Sequence, residues 1–270
     1  MTKLQNLALC LAITPATLLA QYNYYYTDAF SSINTSYWTE NGSLTASSYG
    51  LYSTYTNGGS LIFSGTVPGP AGEYEVAAKL NLNASGGTYV LYLNASNNAL
   101  SGPSPSGSFY DVELQPTFSG SSCSASLTLN KYVSGVLTTL SSTACSNGMV
   151  IRAMHLPYAG SALAVYVSGL LTILAGDSSL TSGSPGVGAR GIAYTGNAIA
   201  QAQLGQLDTT APNAFNNSLI GTSSFANRVD VQSPGTTDNS GGTGIAFYQI
   251  YRGSTIVAND LPTPNWGCAT

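Results

Sequence analysis

The chain has 270 residues, of which only 7% are charged, with 7 Lys and Arg against 11 Asp and Glu, a formal net charge of −4 and one histidine, His155. That balance excludes a nucleic-acid partner, whose phosphates demand a cluster of cations, and it excludes long surface helices, which draw on Glu, Lys and Arg. Thirty glycines, 18 tyrosines and 43% apolar residues describe short strands, tight turns and a packed core instead of a disordered chain.

The first 20 residues, MTKLQNLALCLAITPATLLA, place Lys3 ahead of an apolar run and end in Ala20, the layout of a secretory signal peptide. Pro15 breaks the run, which is too short to span a bilayer. Residues 1–20 are therefore read as an export signal, with no membrane insertion after its cleavage and a secreted or cell-surface product. Leu18 is bulkier than the small residue usual at that place in a cleavage site. Cys10 leaves a lipoprotein anchor as the alternative, against which stands Leu9 where a small residue is expected.

Residues 22–55 hold eight of the 18 tyrosines together with Trp38. Trp38 and about half of these tyrosines suit a core. Tyr49, Tyr52 and Tyr55, in the glycine-flanked TASSYGLYSTYTNGG, are the candidates for an exposed ligand-binding set, since an aromatic ring offers a flat apolar face with a polar edge.

Strand signals follow in order. YEVAAKLNLN sets Tyr74, Val76, Ala78, Leu80 and Leu82 on one face and Glu75, Lys79, Asn81 and Asn83 on the other, which predicts a core side and a water side. After Gly86-Gly87 come TYVLYLNAS and FYDVELQP. Next, Cys123 and Cys145 bracket two β-like runs around Ser134-Gly135 at equal distance from residue 134. A hairpin turning there sets them opposite each other, and a disulfide between them is expected, worth about 3 kcal/mol; two free buried thiols are the alternative, and Cys268 is left over. MVIRAMHL, LAVYVSGLLTILAG and IAQAQLGQL complete the set. YVSGVLTTL at 132–140 recurs as YVSGLLTIL at 166–174, two hairpins of one meander. Repeated short strands with turns between them predict an all-β, antiparallel two-sheet sandwich or jelly roll.

GVGARG at 186–191 spells Gly-x-Gly-x-x-Gly, the turn that cradles a dinucleotide when a strand enters it and a helix leaves it. Pro185 precedes it and Gly196-Asn197 punctuate the chain soon after, so no helix of useful length opens at Gly191 and no nucleotide cofactor is implied. Past residue 207 the character changes. DTTAP (208–212) reads as an extended linker, and residues 213–270 contain two or three strands but fall short of the ~100 residues of a complete sandwich, a truncated second module.

Three landmarks in chain order resemble bacterial concanavalin A-like, laminin-G-like jelly-roll domains: DAFSSINTSYW (28–38), with its Asp-x-Phe…Trp; LAVYVSGLLTILAGDSSLTSGSPGVGARG (163–191); and IAQAQLGQLD, similar to the final strand, which in that family lies beside the first. The resemblance covers about residues 28–208, bounds the domain at 21–207 and implies that GVGARG is a glycine-rich bend after the last hairpin. The tail, through its linker and GIAFYQIYRGSTIVA, resembles the first half of a fibronectin type III module, from which it departs by lacking a tryptophan near Val231-Gln232.

Glycoside hydrolases of the jelly-roll family carry Glu-x-Asp-x-x-Glu on one strand. Here YDVELQP offers only Asp111 and Glu113 on one side, so the motif is unmet, and these two are the catalytic candidates only if the chain is an enzyme. Glu73 and Glu75 form a second such pair on a face that reads as solvent. His155 sits mid-strand with no Gly-x-Ser-x-Gly elbow to serve, and it reads as a structural residue. The resemblance admits one structural calcium, through Asp28 and Asp208, against which an Asx-turn is the plain alternative. Asn-x-Ser/Thr sequons at Asn34, Asn41, Asn83, Asn94 and Asn216 fit a secreted surface. The expected role is non-catalytic recognition of carbohydrate or an extracellular protein partner; a structural spacer and a glycosidase are the alternatives.

Overall fold

The computed structural model describes residues 11–15, 22–68, 74–119, 122–146, 150–156, 162–193, 196–207, 221–224, 229–232, 247–252 and 255–262. They fall into two compact units, residues 24–207 and residues 1–23 with 208–270.

The larger unit is a sandwich of two antiparallel sheets. One is seven-stranded, in the order β11 (Val136–Ser146), β10 (Ser122–Val133), β9 (Phe109–Ser119), β8 (Thr88–Ala95), β15 (Ser184–Arg190), β6 (Gly59–Phe63) and β3 (Trp38–Gly42). The other is eight-stranded: β14 (Leu170–Gly176), β13 (Ala162–Val167), β12 (Val150–Leu156), β7 (Tyr74–Asn81), β16 (Ala198–Leu207), β5 (Gly50–Tyr52) and β4 (Thr45–Ser47), with β2 (Tyr22–Asp28) also paired to β16. The first and last strands of the sandwich thus lie side by side, as the jelly-roll resemblance implied. In the smaller unit β1 (Leu11–Pro15), β19 (Phe247–Arg252) and β20 (Thr255–Pro262) form one sheet, while β17 (Gly221–Ser224) and β18 (Val229–Gln232) form another.

Alternation along the strands builds the core. Leu91 and Leu93 of β8, Val112 and Leu114 of β9, and Leu127 and Leu129 of β10 face Val76, Ala78 and Leu80 of β7, Ala153 of β12, Val165 of β13 and Leu204 of β16. Near its start, Trp38 packs edge-on against Tyr26 and Phe63, and its indole N–H donates to Asp28 Oδ2 at 2.8 Å. Trp38 is a core residue, as its sequence context suggested.

A second, smaller apolar layer lies on the outward face of the seven-stranded sheet. The loop 96–107 folds over it and buries Ile62, Val90, Tyr92, Phe109 and Tyr132 beneath Ala99. Every residue of β8 is consequently buried, on both faces.

The structure corrects three expectations. Residues 186–190 of GVGARG belong to β15, a central strand of the seven-stranded sheet, and Gly191 follows its end. Only Gly191 has positive φ, at 62°; Gly188 is required by close approach, because a Cβ there would lie 2.7 Å from the Gly59 carbonyl oxygen and 2.9 Å from the Tyr92 ring. Glu75 is wholly buried: Arg152 grips it through Nε and Nη2 at 2.9 and 2.6 Å, and the Tyr24 hydroxyl donates to it at 2.7 Å. Cys123 and Cys145 are free thiols. A two-residue turn and a bulge at Leu129/Asn130 shift the hairpin register by two, so Cys145 faces Ala125, and Cys123 has no thiol opposite it.

The packing around Gly188 is checked by urea denaturation. Gly188→Ala is expected to lower the unfolding free energy by about 2 kcal/mol, through overpacking against backbone and ring. Gly176→Ala, where an added Cβ meets nothing within 4 Å, is the control and is expected to change it by about 0.5 kcal/mol or less. Equal stabilities for the two variants would sink this account of the motif.

Candidate functional site

Three cross-strand rows run across the outward face of the seven-stranded sheet, from beneath loop 96–107 to the open part of the sheet past it. The first aligns Asn130, Asp111, Tyr92 and Gly186; the second aligns Thr128 with Glu113 and Val90 with Gly188. The third sets Ser126 beside Gln115 on one pair of strands and Thr88 beside Arg190 on another. The i, i+2 spacing that suggested Asp111 and Glu113 as neighbours is correct, and both lie on this face.

Both carboxyls are sequestered. Asp111 is fully buried and accepts a hydrogen bond from Asn130 Nδ2 at 3.0 Å, and Asn130 Oδ1 in turn accepts from Thr139 Oγ1. Glu113, 8% exposed, forms an ion pair with Arg190 Nη2 at 2.7 Å. Arg190 Nη1 donates to Ser101 Oγ at 3.0 Å, and that hydroxyl also bonds Tyr92 Oη. Burial first, and the neighbouring charge of Glu113 second, push the Asp111 carboxyl well above the ordinary carboxylate range. Asp111 Oδ2 and Glu113 Oε1 are the two buried oxygens of this cluster that receive no protein donor. One proton kept on Asp111 and turned toward Glu113 satisfies both oxygens, and it leaves the cluster neutral with Arg190 balancing Glu113.

Arg190 stands at the border of this cluster. Beyond it the sheet opens into a cleft of about 370 Å³, lined by Arg190, Thr88, Gln115 and Ser126 from the third row and by Thr56, Gly86 and neighbouring loop residues. The cleft walls are tied down. Gly86 N–H donates to Pro116 O at 3.1 Å, and Phe118 N–H donates to Ser85 Oγ at 2.7 Å. On the other side Gly191 N–H donates to Tyr55 O at 2.8 Å and Ile192 N–H to Ser53 O at 2.7 Å. The lining is hydroxyls, an amide, backbone and one guanidinium, with no carboxylate. Such a surface can donate to and accept from a polyhydroxylated ligand without meeting a net charge.

The three tyrosine candidates separate. Tyr55 is 64% exposed, precedes cleft-lining Thr56 and reaches Gly191 through its carbonyl; Tyr49 is 56% exposed in the β4–β5 turn, where its carbonyl accepts from Asn81 Nδ2; Tyr52 is half-buried against the core. Arg190 is the residue that sequence reasoning missed, inside the motif whose nucleotide reading had been set aside. Glu73, Asp208, Asn216 and Cys268 lie outside the described residues. Asp28 accepts from Phe30 N–H at Oδ1 and from Trp38 Nε1 and the Tyr26 hydroxyl at Oδ2, the pattern of the Asx-turn alternative. His155 is buried in β12 opposite Leu163. Asn94 is 2% exposed, with its side chain bonded to Tyr74 and Leu180, and so offers no glycosylation site.

No family model matches the chain. Exoglucanase B of Cellulomonas fimi is 47% identical to it over 51 residues, which are 19% of this chain and 4% of that protein, so the chain spans a small fraction of that relative. Among solved structures it is similar to the carbohydrate-binding module CBM66 from Bacillus subtilis, at 13% identity and a TM-score of 0.41, over 63% of this chain and 92% of that one. It is also similar to the Emp46p carbohydrate recognition domain in its potassium-bound form, at 14% identity and a TM-score of 0.45, over 68% and 98%. A third likeness is the legume lectin-like domain from Entamoeba histolytica, at 15% identity and a TM-score of 0.37, over 64% and 88%.

The charge arrangement predicts opposite outcomes for its members. Arg190→Ala leaves Glu113 buried without its cation and is expected to cost about 3 kcal/mol at neutral pH. Asp111 keeps its proton in the folded chain while the unfolded chain releases it above pH ~4. The unfolded state then binds fewer protons, and stability falls as pH rises, by up to ~1.4 kcal/mol per unit until Asp111 ionises. Asp111→Asn keeps a donor toward Glu113 and removes that loss, so its advantage over the native chain should grow as the pH rises above ~4 in thermal melts. A parallel pH profile for the two proteins would refute the retained proton.

Proposed function

We propose that the sandwich is a non-catalytic carbohydrate-recognition module whose ligand sits in the cleft beside Arg190, with Tyr55 at its margin. The observation that carries this reading is the cleft itself: an uncharged row of Ser126, Gln115 and Thr88 that ends on a guanidinium already paired to Glu113, between loops fixed by backbone hydrogen bonds. Fixed walls lower the ordering cost of binding, and hydroxyl and amide groups match the mixed donors and acceptors of a sugar. A 51-residue match to a protein named exoglucanase B supports the same direction.

The carboxyl pair supports recognition better than hydrolysis. Retaining hydrolysis needs two carboxyls open to the substrate about 5–5.5 Å apart; Asp111 is fully buried, and Glu113 is engaged by Arg190. Export rests on residues 1–20, whose layout is that of a signal peptide. Among the described residues no helix is long and apolar enough to cross a membrane.

The test is binding of the purified chain to a panel of neutral and acidic polysaccharides, with hydrolysis products read in the same wells. Saturable binding without products is expected. Ser126→Trp, at an exposed cleft position, should weaken it tenfold or more, and Tyr55→Ala should weaken it a few-fold. Sugar release would overturn the non-catalytic reading and bring Asp111 and Glu113 forward. Silence across the panel would leave the structural spacer as the better description.

A further inference from the structure

Arg190 is the one charged residue among those that line the recognition cleft, and its charge is already matched by Glu113. The guanidinium carries five N–H groups. One on Nη2 donates to Glu113 Oε2 at 2.7 Å, and one on Nη1 donates to Ser101 Oγ at 3.0 Å. The other three have no acceptor among the described residues, and the side chain is 16% exposed where it lines the cleft. Those three are what Arg190 has left to offer a ligand.

A neutral sugar and an anionic one meet this arrangement differently. The planar fork of donors accommodates two adjacent hydroxyl oxygens as well as a carboxylate, so donor geometry alone does not choose between them. Charge does. A ligand carboxylate at Arg190 would share a single cation with Glu113, which is buried against that same guanidinium. No second cation lines the cleft among the described residues; Thr88, Gln115 and Ser126 offer hydroxyls and an amide. Two anions close to one cation, in a site largely out of solvent, repel each other with little screening. A sugar hydroxyl accepts from the same N–H groups and leaves the ion pair undisturbed. Asp111 does not tip the balance: protonated, it leaves the cluster neutral, and ionised, it would add a further negative charge. The net charge of −4 also slows the approach of an anionic polymer.

We infer that Glu113 is a specificity-determining residue: by holding the charge of Arg190 it restricts the cleft to neutral glycans, read through adjacent hydroxyl groups, and turns away uronates and sulfated sugars. The inference rests on the carbohydrate reading of the cleft and narrows it to one ligand class. Glu113 is not among the cleft-lining residues and acts through Arg190. Exclusion of this kind is discrimination by an element set against the wrong ligand, and it costs the right ligand nothing.

The experiment is calorimetric titration of the full chain with neutral polysaccharides, starch, galactomannan and β-1,3-glucan among them. Each is paired with a derivative oxidised at its primary hydroxyls to carboxylate, so that the two differ in charge on one backbone. The neutral form is expected to bind about tenfold tighter or more. That preference should persist from about 20 mM to about 500 mM NaCl, because salt screens a mostly buried pair far less than it screens surface charge. Glu113→Gln leaves Arg190 its charge and removes the competing anion, so the neutral-to-carboxylated affinity ratio should fall about tenfold or more. Loss of packing alone would weaken both forms together and leave that ratio unmoved. Thermal melts report whether the variant is folded, and the salt comparison on the native chain carries the test if it is not. Equal or tighter binding of the carboxylated form, a preference that vanishes at the higher salt, or an unchanged ratio in folded Glu113→Gln would overturn the inference and leave carbohydrate recognition standing. Binding of neither form of any polysaccharide would overturn both.

Discussion

The ion pair between Arg190 and Glu113, 2.7 Å long and nearly out of solvent, is the contact on which the polar face of this sandwich depends. A protein with seven cationic side chains has few with which to balance buried acids, and three of them serve inside it: Arg190 for Glu113, Arg152 for Glu75 and Lys131 for Asp177. Each pair joins positions at least 46 residues apart. Replacing such a pair by apolar residues can be neutral, but removing one partner strands a charge in a medium that solvates it poorly. The pairs therefore constrain which strands lie over which more than they add net stability.

Around Arg190 the apolar and polar halves of the outward face meet. On one side Tyr92, Phe109 and Tyr132 lie beneath loop 96–107; on the other the hydroxyl row opens to solvent. Ser101 links the two halves, since its hydroxyl bonds both Tyr92 and Arg190. Arg190 thus presents to the cleft a guanidinium whose position is set from behind by two buried partners, the preorganisation that recognition of a flexible ligand rewards. The same arrangement explains Gly188. It lies one row from Arg190, in register with Val90, and the Tyr92 ring and the Gly59 carbonyl together leave no room for a side chain.

Much of the fold was legible because it rests on local pattern. Period-two alternation located β7 and β16, short apolar runs between turn signals located β8, β9, β12 and β13, and Ser-Gly dipeptides located two hairpin turns. What failed did so for reasons of packing. Alternation assigned Glu75 to water because a strand's outer face is normally wet, but Tyr24 and Arg152, 51 and 77 residues away, close over it. Equal counting placed Cys123 opposite Cys145, and one bulge at Leu129/Asn130 with a two-residue turn was enough to put Ala125 there instead. Of the candidate site, the shared face of Asp111 and Glu113 followed from i, i+2 spacing. Their burial did not, because it comes from Arg190 and from a loop folded over the sheet.

The sequence by itself determined an all-β chain with few charges, the strands and most of their turns, and two carboxyls side by side on one of them. These follow from the alternation of side chains and from glycine's conformational freedom, which act over a few residues. The tertiary structure decided what those carboxyls do. Strand register brings Arg190 to Glu113 across 77 residues, burial holds a proton on Asp111, and loop closure makes a cleft beside them. Desolvation and charge pairing are properties of the assembled sheet, so no single stretch of the sequence carries them.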